Sequence, residues 1–141
     1  MLFLLDNNVI SELRKTRPHG AVIAWRRSVL LHQLAIPAVV AAEIQTGIEM
    51  TRQQDPAKAV DLELWLDSVV SYYPILPADV VIYREWARLM NGKSGDLSAD
   101  AMIAATARVL RLIVVTRNVR DFEPFNVQVF NPFTYTPEGR T

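Results

Sequence analysis

Short apolar runs that end in polar residues are the feature that most constrains how this chain can fold. Residues 2–5 are all apolar and stop at Asp6, and residues 112–115 are all apolar and stop at Thr116. Such runs, with no polar face, are typical of central parallel strands that are covered on both sides. Segments with helical spacing of apolar residues separate them, so the pattern predicts one α/β domain with a mainly parallel sheet and helices on both faces.

Other segments continue this alternation of strand and helix. Asp55 and Pro56 mark the start of a helix that leads into a β-rich stretch over 69–76. Ser98 or Asp96 is expected to cap the last long helix. The remaining predicted elements are strands over 34–36 and 127–130, helices over 21–30, 39–50, 78–90 and 99–110, and a frayed tail over 132–141.

The charge balance limits how the chain can bind a polyanion. Fifteen Lys and Arg stand against fifteen Asp and Glu, so the formal net charge is zero. A globally basic coat for nucleic acid is therefore excluded, and any polyanionic substrate must be attracted by a local patch.

Missing residue types exclude further classes of site. The chain has no cysteine, which excludes disulfide bonds, zinc–thiolate sites and cysteine nucleophiles. Only two histidines are present, so a histidine-rich metal site is not expected. No window approaches the roughly 20 apolar residues of a membrane span, and the opening run is too short for a signal peptide. We therefore expect a cytoplasmic protein that does not bind a membrane.

Polar side chains directly follow the two apolar runs. Asp6 and Asn8 come after the first run, and Thr116, Asn118 and Asp121 come after the second. Ligands of open parallel sheets bind beyond the carboxyl ends of the strands. These side chains are therefore the first candidates for a functional site.

Two more carboxylates belong to the same candidate site. Glu43 and Asp100 lie early in helices whose apolar stripes direct that end toward the sheet. Carboxylates that are close together repel one another unless a hard divalent cation neutralises them. Mg²⁺ or Mn²⁺ at such a cluster supports hydrolysis of a phosphodiester.

Each acid, taken singly, also has an ordinary structural explanation. Asp6 is a typical helix N-cap, Glu43 could complement a helix dipole from the first turn, and Asp121 could begin a turn. Asp100 is harder to explain in this way because its neighbours form a close-packed helix face. Asp96 is assigned to a cap or a loop rather than to the acidic cluster.

The histidines and tryptophans are assigned structural positions. His19 and His32 are expected to be solvated or to cap helices. Trp25, Trp65 and Trp86 fall on apolar helical stripes, which favours core or interface anchors over platforms for base stacking.

Four segments of the chain together resemble a known family. They are residues 4–13, 41–47, 100–107 and 116–122, each of which contains one of the four acids. Their order and sequence resemble the acidic motifs of PIN-domain ribonucleases, in particular the VapC and FitB-like toxins of bacterial type II toxin–antitoxin pairs. The resemblance covers nearly the whole chain.

The resemblance implies a fold and a set of partners. The implied fold is a three-layer α/β/α domain over 1–133 with a five-stranded parallel sheet in the order 3-2-1-4-5, followed by a tail over 134–141. The implied partners are an RNA substrate, a second copy in a homodimer, and a cognate antitoxin whose C-terminal segment crosses the acidic groove. Operator DNA is implied as a partner only through that antitoxin.

The resemblance also implies a role for each acid. Asp6 and Asp100 would be the main ligands of Mg²⁺, for which Mn²⁺ could substitute. Glu43 would complete the coordination or hold a metal-bound water, and Asp121 would be the fourth acid.

Uncharged side chains near the acids have implied roles too. Asn8, Asn118 and Thr116 would orient carboxylates or waters through hydrogen bonds. Asn7 departs from the family, which usually has Thr or Ser at this position, so the hydroxyl expected there is missing while all four acids are present.

Arginines near the motifs are candidates for contacts with RNA phosphates. Arg14, Arg117 and Arg120 are assigned this role, and Arg108 and Arg111 are also expected to surround the last two motifs. Their contribution to binding should weaken as the salt concentration rises.

Three hypotheses for function follow from the sequence. The leading one is a Mg²⁺- or Mn²⁺-dependent endoribonuclease that acts as the toxin of a toxin–antitoxin pair. The alternative, suggested by Asn7, is a catalytically weak PIN domain that acts as an antitoxin-binding and regulatory module. A phosphatase or a receiver with Asp6 as nucleophile fits less well, because Asn8 and Arg117 stand where those sites require Asp and Lys.

Overall fold

The computed structural model describes residues 1–137, which form five β-strands and six α-helices. The strands are β1 (Phe3–Leu5), β2 (Leu34–Pro37), β3 (Ile75–Leu76), β4 (Ile113–Val115) and β5 (Val129–Phe130). The helices are α1 (Asn7–Arg14), α2 (Gly20–Ser28), α3 (Ala38–Arg52), α4 (Pro56–Tyr72), α5 (Val80–Met90) and α6 (Ser98–Leu110). Short 3₁₀ helices cover Leu31–Gln33, Gly95–Leu97, Val119–Phe125 and Pro132–Thr134.

The sheet has the predicted topology. All neighbouring strands are parallel and the order is β3-β2-β1-β4-β5, with helices on both faces. β1 is central and pairs with β2 on one side and with β4 on the other. The expected α/β/α fold with the order 3-2-1-4-5 is therefore confirmed, and the carboxyl ends of β1 and β4 are adjacent.

The core forms around these two strands. Leu4 and Leu5 of β1 and Val114 and Val115 of β4 are each 0% exposed, as runs without a polar face predict. Every residue from 101 to 107 in α6 is buried, and four of them are alanine. Small side chains let α6 approach the sheet closely, which fixes the position of its first turn relative to β1.

The predicted β-rich stretch over 69–76 is wrong for most of its length. α4 continues to Tyr72, and only Ile75–Leu76 form a strand. Val69 is buried whereas Val70 is 44% exposed, which is the pattern of a helix with one face against the protein. Packing of α4 against α3 overrides the β-propensity of the two valines.

The helix starts agree only in part with the predictions. Asp55 caps α4 as expected, its side chain accepting from Lys58 N. Neither Ser98 nor Asp96 caps α6, because Leu97 occupies the N-cap position and makes no side-chain hydrogen bond there.

The expected frayed tail is ordered where it begins. Residues 132–134 form a 3₁₀ helix that packs against α2, and Pro132 is buried. Asn131 caps this turn by accepting from Phe133 N at 2.9 Å. Residues 138–141, the end of the predicted tail over 134–141, lie outside the described residues. Within residues 1–137, none of the helices has the length and apolar character needed to cross a membrane.

Candidate active site

Asp6 lies at the carboxyl end of β1, beside the end of β4. Its backbone N–H donates to the carbonyl of Val115 at 3.0 Å, which continues the ladder between the two strands. Its side chain accepts from Asn7 N at 2.7 Å and so caps α1. The N-cap explanation and the functional one therefore apply to the same carboxylate, which is 7% exposed.

Two side chains hold the second oxygen of Asp6. Thr116 Oγ1 donates to Asp6 Oδ2 at 2.8 Å, and Asn8 Nδ2 donates to the same oxygen at 3.1 Å. Thr116 is 0% exposed, so its hydroxyl has no access to bulk water. The Asp6 carboxylate is fixed in orientation before any ligand binds.

The same residues tie the ends of β1 and β4 together. Asn8 Oδ1 accepts from Arg117 N at 2.9 Å, and Thr116 Oγ1 accepts from Asn118 N at 3.0 Å. Asn8 also donates to Thr116 Oγ1 at 3.1 Å. Asn8 and Thr116 thus bond to Asp6 through their side chains, while Asn118 takes part through its backbone.

Three of the four predicted acids meet in one cavity. We call it the acidic cavity; it measures about 230 Å³ and is lined by Asp6, Asn7, Asn8, Ser11, Glu43, Asp100 and Asn118. Asp100 enters from the first turn of α6. Glu43 enters from the second turn of α3, because that helix begins at Ala38, and a first-turn dipole role for Glu43 is therefore wrong.

The fourth acid stands apart from the cavity wall. Asp121 is exposed, lies in the 3₁₀ helix Val119–Phe125 and does not line the acidic cavity. Its charge nevertheless raises the pKa of Asp6 and of Asp100. Asp121 is thus electrostatically coupled to the cluster without being part of its lining.

Burial and mutual repulsion raise the pKa values of the cluster. Burial, followed by the charges of Asp6 and Asp100, raises the pKa of Glu43 to about 7. Burial, followed by the charges of Asp6 and Asp121, raises the pKa of Asp100 to about 6. The pKa of Asp6 is also raised by burial, although the hydrogen bonds from Thr116, Asn7 and Asn8 oppose the shift.

The donor set of the cavity fits a hard divalent cation. Glu43 Oε1 is buried and has no hydrogen-bond partner within residues 1–137, which is costly for a carboxylate unless a cation or a water is bound. The other donors are carboxylate and amide oxygens, the ligands that Mg²⁺ and Mn²⁺ prefer. Over residues 1–137, however, no three acidic or histidine side chains already form a complete metal-binding group.

The predicted RNA-binding arginines lie in two places beside the acidic cavity. Arg14 stacks over Trp65, 5.4 Å from the ring centroid, in a groove that also contains Asn7, Ser11 and Glu43. Arg117 and Arg120 line a cavity of about 480 Å³ with Asn118, Val119 and Asp121, which we call the Arg117 cavity. Asn118 borders both the acidic cavity and the Arg117 cavity.

Arg108 and Arg111, which were expected to surround the last two motifs, line neither the acidic cavity nor the Arg117 cavity. Arg108 forms an ion pair with Glu85 at 2.7 Å and donates to the carbonyls of Phe125 and Asn126. Arg111 lies just before β4 and therefore at the opposite end of the strand from Thr116. Although both residues are close to the acidic motifs in sequence, they do not lie beside the acidic cavity.

Sequence reasoning missed two polar contacts of α1. Ser11 lines the acidic cavity and donates to Asn7 Oδ1 at 2.8 Å, a contact that their spacing of one helical turn could have indicated. Glu12 is buried and accepts from Lys15 Nζ and from His19 N, each at 2.9 Å. These contacts lower the pKa of Glu12, so this acid has a structural role.

The predicted structural positions of the aromatic residues are partly confirmed. His19 caps α2 by accepting from Ala21 N at 3.2 Å. Trp25 is buried in the core, and Trp86 is half-buried with its indole N–H donating to Ser98 O at 3.0 Å. Asp96 lies in the 3₁₀ turn Gly95–Leu97 and does not line the acidic cavity, in agreement with its assignment to a loop.

Comparisons with known proteins agree with this geometry. The family model described as "PIN domain" matches residues 3–125. The chain is similar to Toxin FitB of Neisseria gonorrhoeae, with 33% identity over 139 residues that cover 94% of this chain and 99% of the toxin. It is also similar to VapC ribonuclease Y4jK of Sinorhizobium fredii, with 31% identity over 137 residues, covering 94% and 98% of the two chains.

Solved structures resemble the fold over nearly its full length. FitAcB from Neisseria gonorrhoeae matches with a TM-score of 0.80 and 33% identity, covering 94% of this chain and 99% of the matched chain. A second structure, FitAB bound to an IR36 DNA fragment, matches with a TM-score of 0.79 and 30% identity over 97% of this chain and 99% of that chain.

Proposed function

This chain belongs to the PIN domain family, and from that premise we propose that it is a divalent-metal-dependent endoribonuclease that acts as the toxin of a toxin–antitoxin pair. Its relatives include proteins named as a toxin and as a VapC ribonuclease over nearly their whole length. The observation that carries the proposal is a cavity lined by three carboxylates, in which the buried Oε1 of Glu43 has no hydrogen-bond partner within residues 1–137.

We assign Asp6, Glu43 and Asp100 as the residues that hold the metal, with Asp121 as the fourth acid. Burial raises the pKa of all three cavity acids, which is the expected condition of carboxylates that await a cation. Mg²⁺ is the proposed ion because the donors are hard oxygens, and Mn²⁺ can take its place for the same reason.

The bound ion would supply electrostatic stabilisation of the phosphoryl transition state and activation of water. The residues of the chain orient the groups that would hold the ion. Thr116 and Asn8 fix the Asp6 carboxylate through its Oδ2. Glu43 lies in the wall of the cavity and its Oε1 has no hydrogen-bond partner within residues 1–137, so it would complete the coordination of the ion or hold a metal-bound water.

Cleavage of RNA by the purified chain, freed of any partner, tests the proposal. We expect cleavage of single-stranded RNA with Mg²⁺ and loss of cleavage with a chelator or with Asp100→Asn. Glu49→Gln is the matched control, because Glu49 lies on α3 outside the acidic cavity and already has Arg52 as a partner. Cleavage that survives Asp100→Asn unchanged would contradict the assigned site.

A cognate antitoxin is the proposed partner of the groove beside the acidic cavity. This groove includes Ile44, Ile48 and Trp65 and is continuous with the cavity through Asn7 and Glu43. The similar structures are titled as a FitAcB assembly and as FitAB bound to DNA. We propose that the antitoxin binds in this groove and inhibits the nuclease. We also propose that the protein contacts operator DNA only through the antitoxin.

The alternative, a catalytically weak module that only binds an antitoxin, rests on Asn7. Asn7 Oδ1 accepts from Ser11 Oγ at 2.8 Å, so this residue is held in the cavity wall although it lacks the usual hydroxyl. Titration with Mn²⁺ separates the two functions. A docking module need not bind Mn²⁺, whereas a nuclease binds it with a dependence on Asp6 and Asp100.

Further assignments follow from the proposed function. We propose a homodimer, with α5 as the face that a second copy covers, because Val80, Val81 and Tyr83 are all more than half exposed there. If the Val81→Glu variant sediments as a monomer and the wild type as a dimer, this result would support α5 as the dimer interface. We place the protein in the cytoplasm, where its RNA substrate occurs, and the end of the PIN domain at residue 133.

A further inference from the structure

Arg117 is fixed at both ends of the residue. Its backbone N–H donates to Asn8 Oδ1, the residue that also holds Asp6. Its guanidinium lies over the ring of Phe133, 4.5 Å from the centroid, which is the closest of the described cation–π contacts. A long side chain on an exposed loop is thereby held in a restricted set of orientations.

Phe133 is itself held in place. Its backbone N–H donates to Asn131 Oδ1 at 2.9 Å, and the neighbouring Pro132 is buried. The edge of the ring contacts His19, with centroids 5.3 Å apart and an interplanar angle of 63°. His19 is fixed in turn by its hydrogen bond to Glu12 Oε2. The C-terminal turn over 131–133 is therefore a rigid support for Arg117.

The charge of Arg117 is not neutralised by the described part of the chain. Arg52, Arg88 and Arg108 each pair with a glutamate, whereas Arg117 and Arg120 form no ion pair within residues 1–137. Both line the Arg117 cavity, which Asn118 joins to the acidic cavity. An anion that leaves the acidic cavity in this direction meets a guanidinium that forms no ion pair within residues 1–137, although the Asp121 carboxylate lines the same cavity.

We propose that the turn over 131–133, acting through Phe133, positions Arg117 to bind a phosphate of the RNA next to the scissile one. This inference rests on the proposed ribonuclease function. Phe133 is a positioning residue: its ring is covered by Arg117 and contacted by His19, which leaves it unsuited to stacking on a base. The guanidinium provides the donors for phosphate oxygens.

The phosphate contact is tested by RNA binding at several salt concentrations. The measurement is fluorescence anisotropy of labelled single-stranded RNA with the full chain carrying Asp100→Asn, which avoids cleavage. The slope of log K against log salt is negative, and loss of one phosphate contact reduces its magnitude by about 0.7 for a single strand. We expect this change for Arg117→Gln. Arg111→Gln removes the same charge at the opposite end of β4 and should leave the slope unchanged.

The positioning role of Phe133 is tested by a double-mutant cycle in the active protein. We expect Phe133→Leu to raise KM about threefold with kcat nearly unchanged, since an exposed cation–π contact is weak. Phe133→Tyr keeps the ring and should restore KM. In the Arg117→Gln background Phe133→Leu should have no further effect on KM, whereas a merely structural role would raise KM equally in both backgrounds.

The outcomes separate this inference from the proposed function. If the wild type cleaves no RNA, the proposed function fails, but the anisotropy measurements still decide whether Arg117 binds phosphate. An unchanged salt slope for Arg117→Gln, or the same slope change for Arg111→Gln, would overturn the phosphate contact. Additive effects of the two substitutions on KM would overturn the role of Phe133.

Discussion

Two groups of acidic side chains, each with one member on helix α3, differ in what neutralises them. One lines the acidic cavity, and the other consists of Glu49 and Glu63 on the outer surface. Glu49 accepts from Arg52 Nε at 3.0 Å and from Gln45 Nε2 at 2.7 Å, and these contacts lower its pKa. Glu43, nearer the start of the same helix, has a buried oxygen without a hydrogen-bond partner among residues 1–137 and a pKa raised to about 7. Glu49 therefore has its cation on the same helix, whereas the charges that raise the pKa of Glu43 are those of Asp6 and Asp100.

This difference separates acids that are paired within the chain from acids that are not. Arg52 also binds Glu63 at 2.8 Å, so the group on the outer surface of α3 and α4 is a closed network that joins two helices. Among residues 1–137, no lysine or arginine lines the acidic cavity. Acids that are not paired within residues 1–137 can be neutralised by a proton or by a cation from solution, whereas Glu49 and Glu63 already have Arg52 as a partner.

The largest expected difference between the two groups is in RNA cleavage. We expect Asp6→Asn, which keeps the shape of the side chain, to lower kcat at least about 100-fold, because a bound metal supplies several kcal/mol and about 1.4 kcal/mol is tenfold in rate. Glu63→Gln should leave kcat near that of the wild type. Equal losses in the two variants would remove the functional distinction between the groups.

Thermal unfolding with Mn²⁺ sharpens the comparison further. At an ion concentration of 100 times Kd, binding stabilises the folded state by about 2.7 kcal/mol, which corresponds to a rise in Tm of about 5–10 °C for a chain of this size. Glu43→Gln should lose most of this rise and Glu49→Gln should keep it. A rise of the same size in both variants would place the ion elsewhere.

The support of Asp6 gives a smaller effect on catalysis. Thr116→Val removes the hydroxyl that donates to Asp6 Oδ2, and we expect kcat with Mg²⁺ to fall about 10-fold, the lower end for residues that orient metal ligands. Thr106→Val is the control, since Thr106 is equally buried but bonds only to Met102 O in its own helix. Loss of activity in both would indicate a general effect of burying an unpaired group.

The positions of the acids were predictable because they follow from topology. Parallel strands that are adjacent in the sheet bring Asp6 and Thr116 together, and the apolar stripes of α3 and α6 direct Glu43 and Asp100 toward the same edge. These features depend on the period of apolar residues, which the sequence displays directly.

The hydrogen-bond network and the basic residues were predicted less well because they depend on tertiary geometry. The bond from Arg117 N to Asn8 joins residues on different strand ends, and nothing local indicates it. Arg108 and Arg111 follow Asp100 closely in sequence, but α6 carries them to the other end of the sheet. The ordered turn at Phe133 likewise depends on contacts with His19 and Arg117, so its sequence alone predicted a tail.

The smallest expected effect is on the stability of the metal-free protein, and its sign differs between the two groups. The pKa of Glu43 rises from 4.5 to about 7 on folding, so the folded state binds this proton more tightly. The stabilisation is therefore complete below pH 4.5 and is lost as the pH rises through about 7. Asp100 acts in the same direction, with its pKa raised from 3.8 to about 6.

Substitutions on α3 should reveal this difference in chemical denaturation at pH 8 with chelator. We expect Glu43→Gln to stabilise the metal-free protein by about 1 kcal/mol, a value reduced for partial solvent screening, because it removes a charge from a repulsive cluster. Glu49→Gln should destabilise slightly, and because the pKa of Glu49 is lowered on folding, this penalty should fade as the pH falls through that pKa. Effects of the same sign at pH 8 would mean that Glu43 is neutralised within the chain, and the need for an external cation would then lose its main support.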